Sequence, residues 1–136
     1  MVCVYCNAKT KVVNSRWKKQ YNQVWRRREC LNCHAIFTTD ETVDLASAWM
    51  VTDKLTGIDS KFLVEKLVIS IHECLRHRPN AASDAINITD TIVARLQRST
   101  DTSIKIDKTV IKEATFVALN RFDTTAGMLY RAIHGI

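Results

Sequence analysis

The chain has 136 residues, 46% of them hydrophobic and 25% charged, with a net charge of +6. That balance excludes a disordered polymer and suits one ordinary domain or two small ones. No apolar run approaches the roughly 18 residues of a spanning helix, and the N-terminal MVCVYC has no secretory-signal pattern, so a cytoplasmic protein without a membrane partner is expected.

The charge is concentrated at one end. Residues 1–39 hold eight basic side chains (Lys9, Lys11, Arg16, Lys18, Lys19, Arg26, Arg27, Arg28) against the acid Glu29, a net +7. The remaining residues hold 12 basic and 13 acidic side chains, a net −1. Such asymmetry is the footprint of a nucleic-acid-binding module joined to a second part with another task.

In chain order, Val12-Val13 starts a strand, and alternation over 20–28 predicts a second. That second strand places Tyr21, Gln23, Trp25 and Arg27 on one face, and Asn22, Val24, Arg26 and Arg28 on the other. Ala35-Ile36-Phe37 predicts a third. The acidic, polar stretch around 42–48 reads as a linker. Beyond it, residues 49–51 and 53–58 read as a hairpin with Gly57 near its turn. Ser60 is placed to cap a helix with Leu63, Leu67, Ile71, Cys74 and Leu75 inward, stopped by Arg78-Pro79-Asn80. A second helix is expected over 84–98, with Ile88, Ile92, Val93 and Leu96 inward. Asp107 caps a third with Val110, Ala114, Val117 and Ala118 inward, and Asp123 starts a fourth through Leu129 and Ile133. The fold class is therefore α+β: an N-terminal three-stranded ribbon over 1–41, a linker, and a small helical bundle with a β-hairpin cover over 49–136.

Four of the five cysteines form two CxxC pairs, Cys3/Cys6 and Cys30/Cys33. Two such pairs from separate knuckles complete a tetrahedron around Zn²⁺, and in a reducing compartment this arithmetic favours a metal over cross-links. A ribbon of about 40 residues with few large aliphatics has little core, so the metal supplies folding energy. A closed four-cysteine site has no open position for a substrate, so the zinc is structural. His34 follows the second knuckle and reads as a surface residue, while Cys74 reads as a small buried hydrophobe.

Arg16, Lys18 and Lys19 precede the hairpin turn, and Arg26, Arg27 and Arg28 end the second strand beside the knuckle. Arginine forks suit phosphates and guanine edges, and lysines act as point charges on the backbone, so these six are the candidate contacts to double-stranded DNA. Trp17, Tyr21 and Trp25 either stack on unpaired bases or form the ribbon's own small core and its contact with a partner. The ribbon's shortage of apolar groups favours the second.

Enzyme chemistry finds no support. There is no Walker loop among three glycines (Gly57, Gly127, Gly135), no GxSxG and no HExxH. His72 and His77 lie five apart on one helix and share a face poorly.

Arg26-Arg27-Arg28-Glu29-Cys30-Leu31-Asn32-Cys33, followed by Phe37-Thr38-Thr39 and Glu41, closely resembles the signature of NrdR-type bacterial repressors, as does Val12-Val13-Asn14-Ser15-Arg16. The resemblance implies a non-enzymatic repressor of ribonucleotide reductase genes. Its zinc ribbon would bind an operator, and an ATP-cone over 49–136 would set the oligomeric state in response to ATP or dATP. It implies nucleotide contacts at Val51, Lys54, Gly57 and Lys66, with Phe62 entering the helix. Leu55, Thr56 and Ile58 depart from the cone pattern, and Asp40 departs where the ribbon signature has Tyr. Symmetric homo-oligomeric assembly is expected because one small ribbon offers few contacts. The alternative is a nucleotide-blind assembly or partner-docking protein with a degenerate cone.

Overall fold

The alternating segments of the N-terminal third become, in the computed structural model, a three-stranded antiparallel sheet in the order β1-β2-β3. The structure describes residues 1–99 and 104–136. The chain divides into two units, Met1–Val43 and Asp44–Ile136. The architecture is mixed α+β: a sheet carrying the four-cysteine cluster, then helices with a second, small sheet.

In the first unit, β1 (Thr10–Lys18) pairs with β2 (Gln23–Cys30), and β2 with β3 (Ile36–Glu41). The β1–β2 connection is a 3-10 turn over Lys19–Tyr21, closed by Asn22 in the left-handed region (φ 50°). Tyr21 therefore lies in the turn and not on the expected second strand. The third strand runs on through Thr38 and Thr39 to Glu41, beyond the predicted 35–37, because β-branched residues continue the pairing with Arg27 and Arg26.

The sheet is one layer, and its burial shows it. Cys3 and Cys30 are the only buried residues of this unit. The aromatic core expected of Trp17, Tyr21 and Trp25 does not form: Trp17 is 65% exposed, Tyr21 is exposed and Trp25 half-buried. A single sheet with no second layer has nothing to cover such side chains.

The second unit starts earlier than the predicted linker end. Asp44 caps a short helix α1 (Leu45–Ala48) by accepting from the Ala46 N–H, and Leu45 is buried in the core. β4 (Met50–Asp53) and β5 (Ile58–Lys61) form the hairpin, turning at 54–57 with Gly57 at φ 69°. Ser60 belongs to β5, opposite Val51, so it does not cap the helix; α2 (Val64–Leu75) is entered from Leu63. A third strand that the alternation does not show, β6 (Lys105–Asp107), lies parallel to β4 in the order β5-β4-β6. Three residues are too few for a period to register.

The helices α2, α3 (Ala81–Ser99), α4 (Lys108–Phe122) and α5 (Thr124–His134) bury Leu67, Ile71, Leu75, Ile88, Ile92 and Leu96 as predicted, while Leu63, expected inward, precedes α2 and is exposed. On α4 the expected Ala114 and Ala118 pack against the core, but other positions of α4 and α5 differ from the prediction. Thr115 and Leu119 are buried on α4 while Val110 is exposed; Ala126, Gly127 and Tyr130 are buried on α5 while Leu129 and Ile133 are exposed. Helix α4 has no dominant apolar face, so periodicity does not select its core side. On α5, Leu129 and Ile133 belong to the same i, i+3, i+4, i+7 stripe as the buried Ala126 and Tyr130 and lie at its exposed edge. Close approach decides which residues are buried. A Cβ on Gly127 would lie 2.6 Å from the Asn120 Cα, so glycine lets α5 press directly on α4. The Thr115 hydroxyl is buried at no polar cost because it donates to the Ile111 carbonyl at 2.7 Å.

Candidate metal centre and nucleic-acid interface

Each CxxC turns into a knuckle whose next residue takes a left-handed backbone: Asn7 (φ 58°) after Cys6 and His34 (φ 57°) after Cys33. Backbone bonds hold the knuckles shut, Cys3 N–H to the Ala8 carbonyl at 2.8 Å and Cys30 N–H to Ala35 at 3.0 Å. The four sulfurs then converge within 4.8 Å of one another. Their closest separations are 3.7 Å (Cys3–Cys33), 3.5 Å (Cys6–Cys30) and 3.5 Å (Cys6–Cys33). A tetrahedron of Zn–S bonds of about 2.3 Å has S···S edges of about 3.8 Å, so the cluster fits Zn²⁺.

The electrostatics agree with the geometry. The N–H groups of Cys33 and Asn32 point at the Cys30 sulfur, both at 3.4 Å. The Cys33 N–H is the larger influence and, against the cost of desolvation, holds the Cys30 thiol down to about 6. Cys33 has the Ala35 N–H pulling it down, yet its neighbours Cys6 and Cys30 push it up to about 12. Four thiols this close do not all ionise by themselves, and a divalent cation supplies the missing charge. Cys3 and Cys30 are buried and Cys6 and Cys33 exposed, so the site has one solvent side. His34 is not a ligand: it is exposed and meets the Glu29 carboxylate at 3.4 Å.

The six candidate DNA contacts fall into distinct environments. Residues directly opposite on neighbouring antiparallel strands share a face. Arg16 is opposite Trp25, Lys18 opposite Gln23, and Arg27 lies between Asn14 and Thr38, all on one face. Arg26, between Ser15 and Thr39, and Arg28, between Val12 and Phe37, occupy the other. Arg26 is half-buried and holds Glu41 through Nε at 3.2 Å and Nη2 at 2.9 Å. Arg28 is also half-buried and donates to the Thr39 hydroxyl at 3.2 Å. Lys18 meets Asp40 at 3.3 Å. Lys19 sits in the turn. Arg16 and Arg27 are exposed and have no partner among the described residues.

In the second unit, two of the four expected nucleotide positions, Val51 and Lys66, line a cavity of about 600 Å³ floored by Phe62, Leu67, Ile111 and Tyr130. Lys54 and Gly57 do not line it. Gly57 makes the hairpin turn, and Lys54 is drawn away into an ion pair with Asp107. Sequence reasoning missed Lys61, Lys108, Lys112 and His134, which do line it. Only β6 and the start of α4 bring Lys108 to the hairpin, where it pairs with Asp53 at 2.8 Å. Lys112 donates to the His134 carbonyl at 2.6 Å, and the Ser70 hydroxyl meets His134 Nε2 at 2.8 Å. Burial, then Lys112 and Lys108, hold the His134 imidazole below its ordinary range. Lysines around an apolar floor suit a polyanion with a flat apolar body.

Residues 1–41 match the family of transcriptional repressor NrdR-like N-terminal domains, so the ribbon and its cysteine cluster are similar to the zinc ribbon of those repressors. Among the described residues no helix is long and apolar enough to cross a membrane.

Proposed function

We propose that the chain is a zinc-dependent, DNA-binding transcriptional repressor, acting on ribonucleotide reductase genes, whose assembly and DNA binding respond to ATP and dATP. The observation that carries the DNA-binding part is the four-sulfur cluster within a segment matching a repressor ribbon. The local excess of cations on that segment supports it, since phosphate neutralisation supplies most of the non-specific affinity for DNA. In this reading residues 1–41 bind DNA and residues 49–136 regulate and assemble.

The nucleotide part is supported by the cavity beneath the hairpin. Its apolar floor accepts a base, and Lys61, Lys66, Lys108 and Lys112 take the phosphates. Lysines from α4 then stand in for the cation absent at Leu55, which is exposed in the hairpin turn.

The test is binding of the zinc-loaded chain to a duplex from a ribonucleotide reductase promoter, against unrelated DNA at matched salt, with and without ATP or dATP. Preference for the promoter that changes with nucleotide, together with a change of particle mass, is the expected result. No preference sinks the repressor reading. Preference untouched by either nucleotide leaves a DNA-binding ribbon on an assembly scaffold and removes the nucleotide control.

A further inference from the structure

The ribbon's β2 reads half-buried along its length until one position. Arg27 is the only exposed residue of that strand. Its cross-strand neighbours are Asn14 on β1 and Thr38 on β3, both exposed, and all three project from the same face. The three side chains form a row across the sheet. A β-bulge between Val12 and Asn14 interrupts the β1–β2 register immediately before the row. Bulges re-aim the side chains that follow them. Without the extra residue, the partner of Arg27 would be Val13, and Asn14 would turn to the opposite face.

The chemistry of the row differs from that of its surroundings. On the opposite face Arg26 is committed to Glu41 and Arg28 to Thr39, so these arginines brace β2 against β3. On the row's own face Lys11 is paired with Glu29 at 3.1 Å and Lys18 with Asp40. Arg27, Asn14 and Thr38 have no side-chain partner among the described residues. An unengaged guanidinium beside a carboxamide and a hydroxyl is a set that reads base edges: Arg to guanine O6/N7, Asn to adenine N6/N7, Thr to either. Three adjacent strands span about 10 Å from first to third, which the roughly 12 Å major groove accommodates.

We infer that the cross-strand row Asn14–Arg27–Thr38 reads base edges in the major groove, with the neighbouring Arg16 on a backbone phosphate. This rests on the DNA-binding reading above and narrows it to one face. Arg26 and Arg28 are then structural, and their removal weakens the ribbon without changing which sequence is preferred.

The experiment selects duplexes from a random 20-base-pair library with the zinc-loaded full chain, wild type and variants, each checked for zinc content. Arg27→Ala and Asn14→Ala should each lose discrimination at one or two base positions by about 5- to 150-fold, while affinity for poly(dI-dC) falls less. Arg26→Ala should keep the wild-type motif and melt at lower temperature. Arg16→Ala should weaken all sequences alike and flatten the salt dependence by about one unit of slope. If Arg27→Ala and Asn14→Ala recover the wild-type motif with undiminished preference, the row does not read bases and the inference is overturned, though DNA binding stands. A wild-type chain that selects no motif overturns the DNA-binding reading itself.

Discussion

Removing one zinc ligand should unfold the first unit and leave the second intact. In Met1–Val43 only Cys3 and Cys30 are buried, and both point into the four-sulfur cluster. Apolar burial therefore contributes little, and a single-layer sheet offers no second face to bury. A structural zinc site contributes about 10–16 kcal/mol of apparent binding free energy. That equals or exceeds the roughly 5–15 kcal/mol of net stability typical of a whole domain. Cys30→Ser removes the buried sulfur that accepts two backbone N–H groups, so it weakens both the metal site and the second knuckle. The assay is an amide NMR spectrum of wild type, of wild type treated with a zinc chelator, and of Cys30→Ser. Peaks from residues 1–43 should collapse to unfolded positions in the last two, with those of 44–136 unmoved and DNA binding lost. A dispersed ribbon spectrum after zinc removal would refute the argument, because it would show that some other interaction holds the sheet.

The remaining predictions concern the helical unit. Gly127→Ala should lower the melting temperature, since its methyl meets the Asn120 backbone and overpacking of about 1–3 kcal/mol outweighs alanine's better helix propensity of about 1 kcal/mol; an unchanged or higher melting temperature contradicts the close packing of α4 and α5. Asp123 is held down to about 2 by the Ala126 N–H first, then by His77 and, more weakly, Arg78. A folded value below the unfolded one contributes stability above about pH 4 that is lost as pH falls towards 2, so chemical denaturation of the wild type should weaken across that window. Asp123→Asn should be less stable at neutral pH and flatter there; equal slopes would remove the carboxylate's role. Lys66→Ala and Lys112→Ala should each weaken ATP binding at least tenfold by calorimetry, the scale of one charge-assisted bond, and Lys54→Ala should do less because Lys54 faces Asp107. The opposite ranking would move the phosphates out of the cavity and towards the hairpin turn.

How the cations are used separates two levels of information. Counting them in the sequence identifies a basic ribbon but treats Arg26, Arg27 and Arg28 as one patch. Strand alternation already divides them between faces. Only the pairing of β2 with β3 brings Glu41 and Thr39 to Arg26 and Arg28, leaving Arg27 unengaged. The same holds for the cavity, whose Lys108 and Lys112 are some 40 residues from Lys66 along the chain.

The four-cysteine cluster was legible from spacing alone, because a CxxC knuckle is a local geometry and two of them need only meet. Helices α2 and α3 were legible too, each having one dominant apolar stripe and, in α2, an unambiguous stop. Three features were decided by tertiary structure. Which residues of α4 and α5 are buried depends on the close contact at Gly127, which a hydrophobic pattern does not encode. Strand β6 exists only because β4 lies beside it. The exposure of Trp17 follows from the first unit being a single sheet with no second layer of its own, so that an aromatic residue expected to serve as core is not covered within that unit. Local spacing determines what each segment can be; which faces meet is a property of the assembled chain.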